Sequence, residues 1–174
     1  RITVHTGLFE VIRDSIASVT DDRRLQALLI AFSFGAFLEG AAGFGTPVAI
    51  SGAMLVGLGF RPLYAAGICL IANTVPVAFA ALGVPILAAA EVTGLGAYQI
   101  SRAVGYQLPL LSFLVPFWLV TVMSGWRGMR EVAPAAFACA ASFAFIQWWT
   151  AKELGPYLPA ILASLGSMAA LVAL

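Results

Sequence analysis

The chain has 174 residues, of which 61% are hydrophobic and 10% charged, with a formal net charge of +1 and a mean hydropathy of +0.99. A soluble domain carries about 25% charged residues, so the composition excludes an ordinary soluble domain, and the near-neutral balance gives no handle for nucleic acid. Cys69 and Cys139 stand in apolar runs and His5 is the single histidine, a set without metal-ligand or thiol-chemistry spacing; no cofactor motif is present, and the two cysteines read as unpaired small hydrophobes.

Residues 1–24 differ from the rest. Leu8, Ile12, Ile16 and Val19 recur at helical spacing with Glu10, Arg13 and Asp14 on other faces, which predicts an amphipathic connector or interfacial helix. Thr20 or Asp21 is placed to cap the next helix. From there residues 25–174 read as a transmembrane region, an all-α polytopic bundle with broken or re-entrant helices. The predicted segments are 25–41, 47–60, 62–75, 77–90, 108–124, 132–150 and 157–174. The chain opens without Met and ends inside the apolar run MAALVAL, which reads as an internal fragment of a longer transporter.

Leu25 to Phe60 is one apolar run of 36 residues, whereas a straight span needs about 20. The stretch FGAFLEGAAGFGTPVAI, Phe34 to Ile50, supplies the break. Thr46 suits an N-cap and Pro47 the first helical position. The same stretch holds Glu39, the only ionisable residue of that run. A charge in hydrocarbon costs roughly 2.5–3.5 kcal/mol on insertion scales and faces a bundle interior or a water-filled cavity. On a continuous helix Gly35, Glu39 and Gly43 share one face, a stripe with room for a ligand or for another backbone. A glycine stripe is also a helix-packing surface, and a buried Glu also serves as a structural hydrogen-bonder; both readings stand at this point.

Pro62 to Ala90 is again interrupted, by Asn73, Pro76, Gly83 and Pro85. Two consecutive broken apolar segments point to a transporter binding site. Asn73 and Thr74 are candidate substrate contacts, with satisfaction of backbone freed near Pro76 as the alternative. Arg61 is a further candidate, against a loop arginine at the membrane edge. Ser33 and Gln107 are weaker ones. Glu91 to Gln107 reads as a polar connector, and Gly125 to Glu131 as a short basic loop. Arg23 and Arg24 form one positive cluster, and Arg127 and Arg130 another. The positive-inside rule puts both in the cytoplasm, which demands an even number of crossings between Leu25 and Met123; the sequence leaves that parity open.

The run GAFLEGAAGFGTPVAI, Gly35 to Ile50, resembles the L-lactate permease family, proton-coupled lactate and glycolate symporters of bacteria and archaea. So do LVGLGFRPLYAAGICLIANTVPVAFAALGVPI, Leu55 to Ile86, and the shorter matches Val92-Thr93-Gly94, Gln107-Leu108-Pro109 and Gly125-Trp126-Arg127-Gly128. The resemblance covers essentially the whole chain. It implies a multi-pass permease of the cytoplasmic membrane that takes up a small 2-hydroxymonocarboxylate with a proton. Its partners are then the lipid bilayer and the remaining spans of the full-length permease.

The roles of individual residues come from their chemistry. Glu39 is the expected proton-coupling group, because burial disfavours a charged carboxyl. The substrate carboxylate is expected at the N-terminus of the element opening at Thr46-Pro47, where helix amides attract an anion. Gly43 and Gly45 would allow close approach, Thr46 would offer a hydroxyl, and Val48 and Ala49 would offer free N–H groups. The substrate-binding set is Gly43, Gly45, Thr46, Asn73, Thr74 and Arg61. A membrane enzyme would need a catalytic constellation that Glu39 and a remote His5 do not make. A channel-like or structural subunit is the alternative, since acidic rings also line cation pores.

Overall fold

A computed structural model describes residues 20–174. The predicted amphipathic segment up to Val19, with His5, lies outside the described residues. Every described element is helical, and no strand occurs among the described residues.

Helix α1, Arg23–Ala41, opens at Asp22, whose carboxylate accepts from the Arg24 amide at 2.8 Å. The helix is π-helical over Leu28–Phe34 and returns to α over Gly35–Ala41. Leu28 through Ser33 are buried all round, as expected of a helix that is apolar on every face. It therefore sits at the centre of the bundle, with Phe32 against Phe143 at 5.0 Å between ring centroids.

Helix α2, Thr46–Gly57, folds back along α1; the space beside Gly35 is closed by Ser51 and Pro47. Helix α3, Pro62–Asn73, then descends from the same edge, with Pro62 in its first turn where a missing N–H costs nothing. A single 3-10 turn, Val77–Phe79, separates it from α4, Ala80–Thr93, and the two arms are bent by 71°. Within α4, Ala81, Leu82 and Gly83 have φ of 45°, 57° and 81°, so regular helix begins at Val84.

Helices α5, Ala97–Glu131, and α6, Ala133–Glu153, form a long antiparallel pair, broken in α5 only at Gly125. Gly105 brings their backbones together, its missing Cβ falling 2.7 Å from Ala151 Cβ. Ser101 donates to the Ala151 carbonyl at 2.9 Å and Ser112 to Gln147 Oε1 at 2.5 Å. Helix α7, Pro159–Val172, closes the bundle over α1, where Ser167 donates to Ser33 at 2.9 Å.

Among the described residues two helices, α1 and α5, are long and apolar enough to cross a membrane alone, and the bent pair α3–α4 makes a third if it is one span. Helix α2, at 12 residues, rises roughly 18 Å and falls short of a bilayer core of about 30 Å. The stretch expected as a connector, Glu91 to Gln107, is helical from Ala97 on. Its polar residues are the surface of one helix, whose small face, Ser101 and Gly105, packs on α6. Likewise the expected loop 125–131 continues as helix beyond the Gly125 kink.

The two arginine clusters lie on one edge: Arg24 donates to the Gly128 carbonyl at 2.9 Å and to Glu131 at 2.6 Å. Arg61 joins them, lining the same cleft as Arg23 and Arg24. The opposite edge carries Tyr98, whose hydroxyl donates to the Lys152 carbonyl at 2.5 Å. The path from Arg23 to Met123 thus runs through the α1–α2 hairpin, the bent pair α3–α4 and α5, and comes back to the edge it started from.

Candidate functional site

The interruptions of the two long apolar runs meet at the surface of the described helices, where Phe44 is 87% exposed. In the first, α1 ends at Ala41 and the chain turns through three left-handed residues, Gly43 at φ 66°, Phe44 at 57° and Gly45 at 77°. In the second, Ala81, Leu82 and Gly83 do the same. Gly43 lies on Ala81 so closely that a Cβ there would sit 2.7 Å from Ala81 Cβ. Gly83 lies on the Pro156 carbonyl, 2.5 Å from its own missing Cβ. The second turn is therefore wedged between the first and the loop ahead of α7. Left-handed backbone costs a non-glycine residue roughly 1–2 kcal/mol. Phe44, Ala81 and Leu82 all carry that cost at the same place, and such strain clusters at functional sites.

Glu39 stands at this junction. It lies sixteen residues into α1 from Arg23, roughly 20–24 Å from the arginine edge. It is 4% exposed, and its Oε2 has no hydrogen-bond partner. The Gly45 amide faces the carboxyl. The carboxyl opens onto a cavity of about 220 Å³ whose walls are Phe44, Val77, Ala80, Ala81, Val84 and Pro85. One acidic group in an otherwise apolar, half-open cleft can exchange a proton with a ligand or with water and has little else to bind. That volume is below the roughly 300–1,000 Å³ of sites for drug-sized ligands.

The sequence-predicted residues are distributed unevenly around this point. Gly43 is at the junction but has left the helix, so it does not continue the face of Gly35 and Glu39. Gly35 faces α2, and Gly40 faces α7 with Ala160 Cβ 2.9 Å from its missing Cβ. These glycines are filled by neighbouring helices, which is the packing alternative. Gly45 caps α2, with Thr46 one position inside the helix rather than at the cap. The Thr46 amide bonds the Gly43 carbonyl at 3.2 Å and the Val48 amide bonds the Gly45 carbonyl at 3.2 Å. Val48 is thus not a free donor, because the left-handed turn itself uses the first amides.

Asn73 ends α3 half-buried, with Oδ1 buried and without a partner. Thr74 is exposed and its hydroxyl donates to the Ile71 carbonyl at 2.8 Å, satisfying freed backbone. Arg61 is at the far end of α2, on the arginine edge, in clefts separate from that of Glu39. Ser33 is fully buried against Ser167 and Cys139, and Gln107 is exposed on α5.

Sequence reasoning missed the cavity wall, above all Phe44 and Ala81. The signal available was the pair of Gly-Pro clusters, Gly43 to Pro47 and Gly83 to Pro85, which mark breaks but not what the breaks touch. No group of metal-ligating side chains occurs among the described residues.

Comparison with known proteins places this geometry in a lineage. The chain is 61% identical to the glycolate permease GlcA of Escherichia coli (strain K12) over 171 residues, covering 98% of this chain and 30% of that protein. It is 63% identical to the L-lactate permease of Bacillus subtilis (strain 168), again over 98% of this chain and 30% of that protein. The L-lactate permease of Halalkalibacterium halodurans is 41% identical over 97% of this chain and 33% of its own length. The chain thus spans about a third of the length of these curated relatives. No solved structure matches. The family model for L-lactate permease matches residues 1–174, and the chain belongs to the L-lactate permease family.

Proposed function

We propose that the chain forms part of a secondary transporter that takes up lactate, or a related small 2-hydroxymonocarboxylate such as glycolate, by proton symport across the cytoplasmic membrane. The observation that carries this reading is Glu39, a buried carboxyl with a partnerless oxygen in a small apolar cavity where two broken helices meet. The relatives named for glycolate and L-lactate support the substrate class. The arginine edge faces the cytoplasm by the positive-inside rule.

In this reading Glu39 takes a proton from the outer side. Its neutral form removes a negative charge beside the cavity, so an anionic substrate enters without facing a second anion. Substrate and proton then favour each other's binding by the same factor. The left-handed turns at Phe44 and Ala81–Gly83 are the elements that move, since strained segments are held only by what surrounds them. Gly43, Gly45, Thr46, Asn73 and Thr74 border the two breaks and are the residues proposed to contact substrate; Arg61 would act at the cytoplasmic mouth.

The test uses the full-length permease containing this chain, reconstituted in proteoliposomes with labelled lactate. One proton per substrate allows about tenfold accumulation for each unit of imposed pH gradient, since a tenfold ratio is about 1.4 kcal/mol. Wild type is expected to accumulate lactate, and Glu39→Gln to equilibrate it without accumulation. Proton-driven accumulation at the wild-type level in Glu39→Gln would sink the assignment. Uptake that never exceeds equilibrium in wild type would favour a channel.

A further inference from the structure

We propose that the arginine edge carries a binding site for an anionic phospholipid, its phosphate held by Arg23 and Arg61 and an acyl chain lying along α3. The site is two adjoining clefts that share Arg61 and Tyr64. The first, about 460 Å³, holds the charged groups Asp22, Arg23 and Arg24 beside Phe60, Met123 and Ser124. The second, about 410 Å³, is apolar and continues along α3 past Leu63, Gly67, Ile68 and Ile71 to Val122 of α5.

The charges in the first cleft are not equivalent. Arg24 is committed to Asp22, Glu131 and the Gly128 carbonyl. Among the described residues neither Arg23 nor Arg61 has a carboxylate partner. Arg23 lies over the Phe60 ring, 5.4 Å from its centroid, and lines the cleft with it. Two guanidinium groups without a carboxylate partner among the described residues, beside Tyr64, match a phosphodiester. The apolar groove that leaves them in the direction of the bilayer matches a hydrocarbon chain.

The occupant is a lipid rather than a free anion because the two clefts are continuous, and a small anion would leave the second unused. It is an anionic lipid because the edge is basic. Arg23, Arg24, Arg61, Arg127 and Arg130 lie on it with Asp21, Asp22 and Glu131, a surplus of two positive charges, whereas on the opposite edge Arg102 and Lys152 stand with Glu153. Basic pockets between helices on the cytoplasmic side bind anionic headgroups. The site shares Arg61 and the cytoplasmic placement of the arginine edge with the transport reading, but not Glu39, which lies at the other end of α2.

The experiment measures retention of phosphatidylglycerol and phosphatidylcholine by the purified full-length permease, by native mass spectrometry, together with the thermal midpoint in detergent. Phosphatidylglycerol is expected to be retained and to raise the midpoint, and phosphatidylcholine to do neither. Each arginine near an anionic surface contributes about fivefold, so Arg23→Gln with Arg61→Gln should lower phosphatidylglycerol affinity about 30-fold. Gly67→Leu fills the apolar cleft; a Cβ on Gly67 meets nothing within 4 Å, so this variant folds and should lose the lipid with both arginines intact. Inorganic phosphate should not raise the midpoint. Equal retention of the two lipids, unchanged affinity in either variant, or stabilisation by phosphate alone would overturn the proposal. So would a Gly67→Cys protein that a membrane-dissolved maleimide fails to label, because the groove would then be covered by other spans.

Discussion

Gly83 is the residue on which the geometry of the second break depends most sharply, and substituting it by alanine separates two costs. The first is conformational. At φ 81° an alanine pays roughly 1–2 kcal/mol for left-handed backbone. The second is steric. The added Cβ would lie 2.5 Å from the Pro156 carbonyl oxygen and 2.9 Å from its carbon. Those are backbone atoms with no rotamer to yield, and overpacking of this kind costs about 1–3 kcal/mol. Gly83→Ala should therefore destabilise by about 2–5 kcal/mol. Gly45→Ala is the control: its φ is 77° but nothing lies within 4 Å of an added Cβ, so it should lose only the conformational part, about 1–2 kcal/mol. Denaturant or thermal unfolding of the full-length permease in detergent measures both. Equal losses in the two variants would show that Gly83 is not wedged against Pro156, and the account of how the breaks are held would fail.

Gly105→Val should separate α5 from α6, because its Cβ position is 2.7 Å from Ala151 Cβ; a loss of about 1–3 kcal/mol in the same unfolding measurement is expected, and no loss would contradict the close packing. Cys69 and Cys139 are buried and free, so intact mass under non-reducing conditions should show no bridge, and neither should react with a water-soluble maleimide before unfolding. Asp22 is held below its ordinary value of 3.8, chiefly by the side-chain hydrogen bond from Arg24. A depressed folded value stabilises above the unfolded one and is lost as pH falls through the folded value. Acid unfolding below about pH 4 should accordingly be less steep in Asp22→Asn than in wild type; identical acid profiles would remove Asp22 from the account of how α1 is capped.

The features legible in the sequence were those that a bilayer makes costly. A 10% charged content leaves helices or a closed barrel as the only ways to satisfy backbone in hydrocarbon, and the long apolar runs select helices. Glu39 was legible for the same reason: an acid with no neighbour to pair it in a run of 36 residues needs a cavity or a partner elsewhere. The breaks were legible because Gly43, Gly45 and Pro47, like Pro76, Gly83 and Pro85, cannot all be continued as helix. The connector reading of Glu91 to Gln107 failed because polarity was taken for irregularity. Tyr98, Gln99 and Arg102 are one exposed face of α5, and the opposite face is legible only once Ala151, some fifty residues away, is seen against it.

What the local pattern does not encode is which break meets which, and that is where the site lies. Gly43 against Ala81, Gly83 against Pro156 and Gly40 against Ala160 are long-range pairs of small residues, and any of these glycines alone reads equally well as a turn, a cap or a packing face. Nor does a periodicity argument reveal that α1 is π-helical over Leu28–Phe34. A π-turn carries an extra residue per turn, so it resets the angular phase of everything after it. Glu39 follows that segment. Its direction, toward the second break rather than toward α7 where Gly40 points, is set by helix winding upstream as much as by its own position. The left-handed Phe44, Ala81 and Leu82 are likewise unreadable from propensity, since none is a residue that favours positive φ. They adopt it where Gly43 meets Ala81 and Gly83 meets Pro156. The candidate site is thus composed of one residue that the sequence singles out and a wall that only tertiary packing produces.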